Sequence, residues 1–287
     1  MPRTARTPGP HPGSPDSGTA PDVLRADCAN CFGLCCVALT LFASADFAVD
    51  KEAGEPCSHL GEDFRCGIHR RLRPAGFPGC TVYDCFGAGQ KVSQGVYAGQ
   101  DWRSRPETAD QMFRVFRVMR QLHEMLSHLT EALARPETEP MREELRQALG
   151  ATERLTREPA DELADFDVTA HREAVAPLLR EVSALVRATV SGRPGKRRPG
   201  RDLFGARLRG ADLRGADLRS ACLVAADLTG ADLGRADVIG ADFRDTRLSR
   251  ADLTTTLFLT QVQLNAARGD GGTKIPPSLT RPAHWSV

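Results

Sequence analysis

The residues best suited to chemistry are cysteines gathered in the amino-terminal half of the chain. The sequence of 287 residues has nine cysteines, and eight of them lie between residues 28 and 85. They are spaced as close pairs: Cys28, Cys31, Cys35, Cys36, Cys57, Cys66, Cys80 and Cys85. Closely spaced thiolates converge on one metal at little cost in chain entropy, and soft sulfur ligands select zinc, Cu(I) or an iron–sulfur cluster. The pattern therefore predicts a metal-binding module with these eight residues as candidate ligands.

The spacing leaves the metal and the ligand set open. Adjacent Cys35 and Cys36 point in different directions in most backbones, so one metal would take only one of them. Two zinc sites of four thiolates would use all eight cysteines, whereas one four-iron cluster would use four. Iron or an iron–sulfur cluster is favoured, zinc is the close alternative, and disulfides are the third interpretation. His59 and His69 could each replace a thiolate, although a supporting or surface role is favoured.

The cysteine segment resembles a bacterial cysteine-cluster family described as a zinc- or iron-chelating domain. The similarity rests on Cys28-Ala29-Asn30-Cys31 leading to Cys35-Cys36, on Cys57-Ser58-His59-Leu60 and Cys66-Gly67-Ile68-His69, and on the closing Cys80 and Cys85. It covers residues 28–86. His69 stands where the family usually has Tyr, and a short insertion follows Arg73-Pro74. The resemblance implies metal binding and no particular reaction.

The carboxy-terminal part has a period of five residues. From residue 201, twelve blocks carry a central apolar side chain, from Leu203 to Phe258, and nine of them have Ala two positions earlier. Five fits neither the 3.6-residue helix nor the two-residue strand, so the repeat predicts a solenoid with one block per face. The blocks resemble the pentapeptide-repeat family, with consensus A-(D/N)-L-x-x. That resemblance implies a right-handed quadrilateral β-helix of three coils over residues 201–260.

The cysteine module and the repeat are joined by a helical region. From Pro106, apolar residues recur every three or four positions as far as Leu133, and two further amphipathic stretches follow. Pro177 inside the third stretch predicts a kink or a late helix start. His123 and His128 are interpreted as surface residues of the first helix. After the repeat, Thr260 and Gln263 fit a capping box that opens a short helix at about 261–267.

Together these features predict a multidomain chain: an irregular Cys-rich metal module, a small α-helical bundle and a C-terminal β-helix. The predicted order is a disordered tail (1–21), the cysteine module (22–100), the bundle (101–190), a basic linker (191–200), the repeat (201–260) and a C-terminal cap (261–287). Cys222 replaces an Asp of the repeat and is interpreted as a spectator thiol.

Charge and composition limit the function. The formal net charge is +1, and residues 201–260 contain nine Asp and nine Arg. Neither the chain nor the repeat has a strong field for nucleic acid, for an anionic membrane or for DNA mimicry. No apolar run approaches the roughly 20 residues that span a bilayer, and the amino terminus lacks the apolar segment of a signal peptide. A cytoplasmic location is therefore expected.

No arrangement of nucleophile, base and acid is visible. The sequence favours a non-enzymatic metal-binding protein whose repeat serves as an interaction scaffold, with a protein partner on the solenoid wall. The alternatives are a redox or metal-dependent enzyme acting at the cysteine cluster and a topoisomerase-interacting DNA mimic. Membrane binding is not expected, and contact with nucleic acid is limited to a weak one through the linker.

Overall fold

The structure is a computed structural model that describes residues 22–190 and 202–285. The predicted disordered tail (1–21) and the predicted basic linker (191–200) lie outside these residues.

Helices provide the regular secondary structure of the described residues. The α-helices are α1 (Leu34–Ala38), α2 (Pro78–Val82), α3 (Ala88–Gln90), α4 (Ala109–Ala134), α5 (Arg142–Leu155), α6 (Ala160–Ala164), α7 (Val168–Ala188) and α8 (Gln261–Ala266). A π-helical turn, Lys91–Val96, continues α3. Short 3-10 helices cover Asp22–Leu24, Cys28–Asn30, His69–Arg71, Pro106–Thr108 and Pro136–Met141.

Helix α4 is the central element of the helical region. Met112, Met119 and Leu129 of its apolar stripe are fully buried. Because α1, α5, α6 and α7 all pack around α4, more than one of its faces is covered. His123 and His128 are consequently 3% and 7% exposed, so their interpretation as surface residues is wrong. The apolar stripe in the sequence predicts one buried face of α4, but it does not show how many other helices pack against α4.

Helix α7 begins well before Pro177. The side chain of Asp167 accepts hydrogen bonds from the backbone N–H groups of Thr169 and Ala170 and so caps the first turn. The helix therefore runs through the proline, and the prediction of a late start is wrong.

The repeat forms stacked pentapeptide turns without β-strands. In residues 22–190 and 202–285 the structure has isolated single-residue bridges and no strand or sheet. The prediction of a C-terminal right-handed quadrilateral β-helix is therefore wrong, and by its regular secondary structure the protein is mainly helical. Within residues 202–258, which we call the pentapeptide coil, parallel bridges join positions twenty residues apart, such as Arg207 with Asp227 and Asp227 with Arg247.

The turn that closes each block explains why no strand forms. The last residue of most blocks has a positive φ, for example 67° at Gly230, 58° at Arg235 and 68° at Gly240. Left-handed backbone suits Gly and strains other residues, so Arg235 is held there by its neighbours in the coil. A reversal every five residues leaves one bridging residue per block. The extended backbone between two successive turns is too short to form the hydrogen-bond ladder of a β-strand.

The interior of the coil is aliphatic and narrow. Leu218, Leu223, Leu228 and Leu233 are fully buried, as predicted for the central residue of each block. Thr246 occupies an Ala position and remains satisfied because its hydroxyl donates to the carbonyl of Leu223 at 2.7 Å. Such side-chain hydrogen bonds allow a hydroxyl in an otherwise apolar interior.

The carboxy-terminal end of the coil is covered by α8 and the tail. The predicted capping box is confirmed, with Thr260 bonded to the backbone of Gln263 and the Gln263 side chain bonded back to Thr260. Trp285 is 4% exposed and packs on the same core as the coil, with its indole N–H donating to the carbonyl of Ala267 at 3.0 Å. These elements shield the last turn from water.

The helical region packs directly against the coil. Phe258 is buried in the core of the helices, and its backbone N–H donates to Glu131 at 3.0 Å. On another side, the guanidinium of Arg187 from α7 donates to the carbonyl of Gly215 at 3.0 Å and pairs with Asp217 at 3.4 Å. Among the described helices, none combines the length and the apolar character needed to cross a membrane.

Candidate metal centre

The cysteine module is built around the loop that carries Cys28 and Cys31. The π-helical turn 91–96 holds this loop, since the hydroxyl of Ser93 accepts from the backbone of Phe32 at 3.0 Å. The Gln94 amide donates to the carbonyl of Asn30 at 3.0 Å. π-helical turns often occur at functional sites, and here the wide turn serves as a support for the loop.

Cys31 and Cys85 approach each other across Gly89. A methyl group added to Gly89 would lie 2.7 Å from Sγ of Cys31 and 3.7 Å from Sγ of Cys85. Burial raises the pKa of Cys31 to about 11, against the effect of N–H groups of Leu34 and Gly33 that donate to its sulfur. Any side chain at position 89 would collide with the sulfur of Cys31.

Cys85 has a similar environment. Burial raises the pKa of its thiol, and backbone N–H groups of Gly89 and Gly87 oppose this by donating to the sulfur. Hydrogen bonds from backbone N–H groups stabilise a thiolate more than a thiol, because the acceptor is then charged. The turns after Cys31 and Cys85 thus supply donors that favour the thiolate, and burial outweighs them in the absence of a metal.

Cys35 and Cys36 are directly coupled. The thiol of Cys35 donates to the sulfur of Cys36, which raises the pKa of Cys35 and lowers that of Cys36. Cys35 packs against the main helical core together with Cys31 and Cys85. Cys35 therefore lies beside Cys31 and Cys85, and the adjacent residue, Cys36, lies beside a second group of sulfurs.

A second sulfur group surrounds Cys36. The backbone N–H of Cys57 donates to the carbonyl of Cys36 at 2.9 Å, and Cys66 forms a bridge with Leu60 in the loop after Cys57. Cys66 and Cys80 pack against a small apolar cluster of their own. Burial raises the pKa of Cys80 to about 12, and the neighbouring thiolates of Cys36, Cys57 and Cys66 add to that rise.

Lys51 is the buried cation of this second group. It is 7% exposed, and its ammonium donates to the carbonyls of Glu52 and Glu55, both at 2.9 Å, and of Val37 at 3.3 Å. Its charge lowers the pKa of Cys36, after the hydrogen bond from Cys35 and against the effect of burial. Sequence reasoning missed this residue because nothing in the pattern distinguishes Lys51 from a surface lysine.

The two nearby histidines stand apart from the sulfurs in their contacts. His59 packs edge-on against Phe77, with ring centroids 5.1 Å apart. His69 is exposed in a 3-10 turn. The contacts of His59 are those of a packing residue.

All nine cysteines are free thiols, so the structure does not have the disulfides of the third interpretation. Within residues 22–190 and 202–285, no group of three or more His, Cys, Asp or Glu side chains is arranged to hold a metal ion. The convergence of sulfurs is therefore incomplete, and metal binding by the eight cysteines stays a prediction.

Comparison with known proteins identifies the family to which the chain belongs. The family described as Pentapeptide repeats matches in eight copies, at residues 202–235 and 221–258. The chain is 54% identical over 264 residues to the uncharacterized protein YybG of Bacillus subtilis (strain 168), an alignment that covers 91% of this chain and 95% of that protein. No solved structure matches. With such identity over nearly its full length, the chain belongs to the same family as YybG and carries pentapeptide repeats in its carboxy-terminal part.

Proposed function

We propose that this protein is a non-enzymatic metal-binding protein that holds its metal in the cysteine module. The observation that carries the proposal is the packing of the cysteines against two separate apolar clusters, from which we infer two groups of four thiols. The first group is Cys28, Cys31, Cys35 and Cys85, and the second is Cys36, Cys57, Cys66 and Cys80.

Packing supports this division. Cys31, Cys35 and Cys85 pack against the helical core, whereas Cys66 and Cys80 pack against the separate small cluster. Cys28 is assigned to the first group by its two-residue spacing from Cys31. It also lies near the second group, since the charge of Cys36 adds to the rise that burial causes in the pKa of Cys28. Four sulfurs are the ligand number of a tetrahedral zinc site and of an iron–sulfur cluster.

The local chemistry fits thiolate ligands. Backbone N–H groups donate to the sulfurs of Cys31, Cys85 and Cys66, and Lys51 favours the charged form of Cys36. Without a cation, burial and repulsion between neighbouring thiolates raise the pKa of thiols such as Cys31 and Cys80. A bound metal would replace the thiol protons and supply the missing positive charge. Iron or an iron–sulfur cluster is the favoured occupant and zinc the alternative.

The pentapeptide coil is proposed as a scaffold for a protein partner. Its outer wall carries ion pairs such as Arg214 with Asp212 at 2.9 Å and Arg209 with Asp227 at 3.3 Å. Because the arginines lie against the carboxylates, the wall lacks the continuous negative charge that DNA mimicry requires.

The proposal is tested with one cysteine from each group. Cys31→Ser and Cys66→Ser are each expected to lose about half of the metal bound by the wild-type protein, because each group holds its own centre. Cys222→Ser, a thiol of the coil outside the module, is the matched control and keeps the full content. The measurement is metal per chain after anaerobic purification. Equal metal content in all three variants and the wild type would refute the proposal.

A further inference from the structure

A cleft of about 510 Å³ lies where α4, α7 and the pentapeptide coil meet. Its apolar wall is formed by Met125 of α4, by Val175 and Leu179 of α7 and by Ile239 of the coil. The residues of each helix that line it recur at intervals of three and four, so one face of each helix is turned to the cleft. Ligand sites are commonly apolar clefts of this size between domains, with a few polar groups.

His128 is a buried polar group at this cleft. It lines the cavity, is 7% exposed and packs edge-on against Phe258 with ring centroids 5.3 Å apart. Burial lowers its pKa to about 4, so the ring is neutral at physiological pH. The hydrogen bonds found among the described residues include none from this imidazole, and its ring nitrogens are not among the fully buried atoms that lack a partner. The ring is therefore available to a ligand in the cleft as a neutral hydrogen-bonding group.

The rim of the cleft is rich in positive charge. Arg180 of α7 is exposed there, and the ion pairs of the described residues do not involve it. Arg172, two turns earlier, donates to the neutral amide of Gln121 at 2.5 Å. The carboxylate at the rim, Glu124, is already paired with Arg120 at 3.5 Å. An anion at this rim would meet two guanidinium groups that have no carboxylate partner in the described structure.

We propose that this cleft binds a small amphipathic anion, an apolar chain with one carboxylate end. The chain would lie on Met125, Val175 and Leu179, and the carboxylate would contact Arg172 and Arg180. Guanidinium groups bind carboxylates through paired, charge-assisted hydrogen bonds, which explains the preference for an anionic end. The neutral ring of His128 would add a hydrogen bond inside the cleft. The site is separate from the cysteine module and does not depend on metal binding.

Calorimetric titration of the full chain with octanoate tests the proposal. Octanoate is expected to bind at millimolar or lower concentration, and octylammonium, of equal length and opposite charge, is not. Arg180→Glu should weaken octanoate binding by about tenfold or more, since it removes a charge-assisted contact and places a negative charge beside the carboxylate. Arg154→Glu, an exposed arginine of α5 away from the cleft, is the matched control and should bind as the wild type does.

A second variant blocks the cleft without altering its charge. Ala176→Trp, on the cleft face of α7, should abolish octanoate binding while the circular dichroism of the helices and the melting temperature stay close to those of the wild type. The proposal is overturned if the wild type does not bind octanoate, if octylammonium binds equally well, or if a folded Ala176→Trp protein binds as before.

Discussion

Replacing Asp237 by Asn should stabilise the protein at neutral pH. Asp237 lies in the pentapeptide coil beneath α7, and its side chain is fully buried. One carboxylate oxygen accepts from the backbone of Ile239 at 3.0 Å, and the other has no hydrogen-bond partner in the described residues. Arg219 lies 3.5 Å away but is shared with Asp217, at 2.6 Å.

The size of the effect follows from the shifted pKa of Asp237. Burial raises that pKa from 3.8 to about 6, against the opposing effects of Ser183, Ile239 and Arg219. Between these pH values the folded protein keeps a proton that the unfolded chain releases, so stability falls as pH rises from about 4 to 6 and stays lower above. A difference of roughly two pKa units corresponds to about 3 kcal/mol. Asn, which never ionises, avoids this loss.

The assay is thermal unfolding of the wild type and Asp237→Asn between pH 4 and pH 8. At pH 7.5 the variant is expected to melt roughly 6 °C higher, and the gain should shrink toward pH 4. Asp232→Asn is the matched control because Asp232 occupies the same repeat position, accepts the same kind of backbone bond at 2.9 Å and has a side chain 48% exposed. A variant less stable than the wild type at pH 7.5, or equal gains at both pH values, would refute the account of Asp237 as a destabilising buried charge.

Three further outcomes are expected. Leu228→Asp should lower the melting temperature severely, because Leu228 is fully buried in the apolar interior of the coil and an unpaired charge there costs several kcal/mol; an unchanged melting temperature would contradict its inward orientation. Thr260→Ala removes the capping box of α8 and should cost about 1 kcal/mol in urea unfolding, whereas Thr254→Ala, on an exposed turn, should cost little. Bound metal should be released as pH falls, because protons compete for thiolate ligands, and metal retained in strong acid would argue against thiolate ligation.

Local signals in the sequence were enough to predict several elements. The capping box at Thr260 and Gln263 is a short-range pattern whose hydrogen bonds depend on four consecutive residues, and it forms as predicted. The inward position of Leu228 follows from the five-residue period alone. The absence of strands did not follow from the period, because a non-Gly residue such as Arg235 gives little indication of the left-handed turn that it adopts.

Features set by packing between distant segments could not be predicted. Asp237 looks like every other Asp of the repeat, and it is buried only because α7 covers it. The sequence predicts His128 on the surface, but the residue is buried because Phe258, at the far end of the coil, packs against it. Lys51 acquires its role from carbonyl groups that converge on it. In each case the sequence specifies the residue and the tertiary contacts determine its environment.

The most direct test of the central claim is metal analysis of the wild-type protein after anaerobic purification, together with its ultraviolet–visible spectrum. The account predicts two metal centres per chain, one for each group of four thiols. Charge-transfer absorption would identify iron or an iron–sulfur cluster, and a colourless protein with two zinc ions would identify the alternative. Less than one metal ion per chain, with eight thiols that titrate freely, would contradict metal binding by the cysteine module.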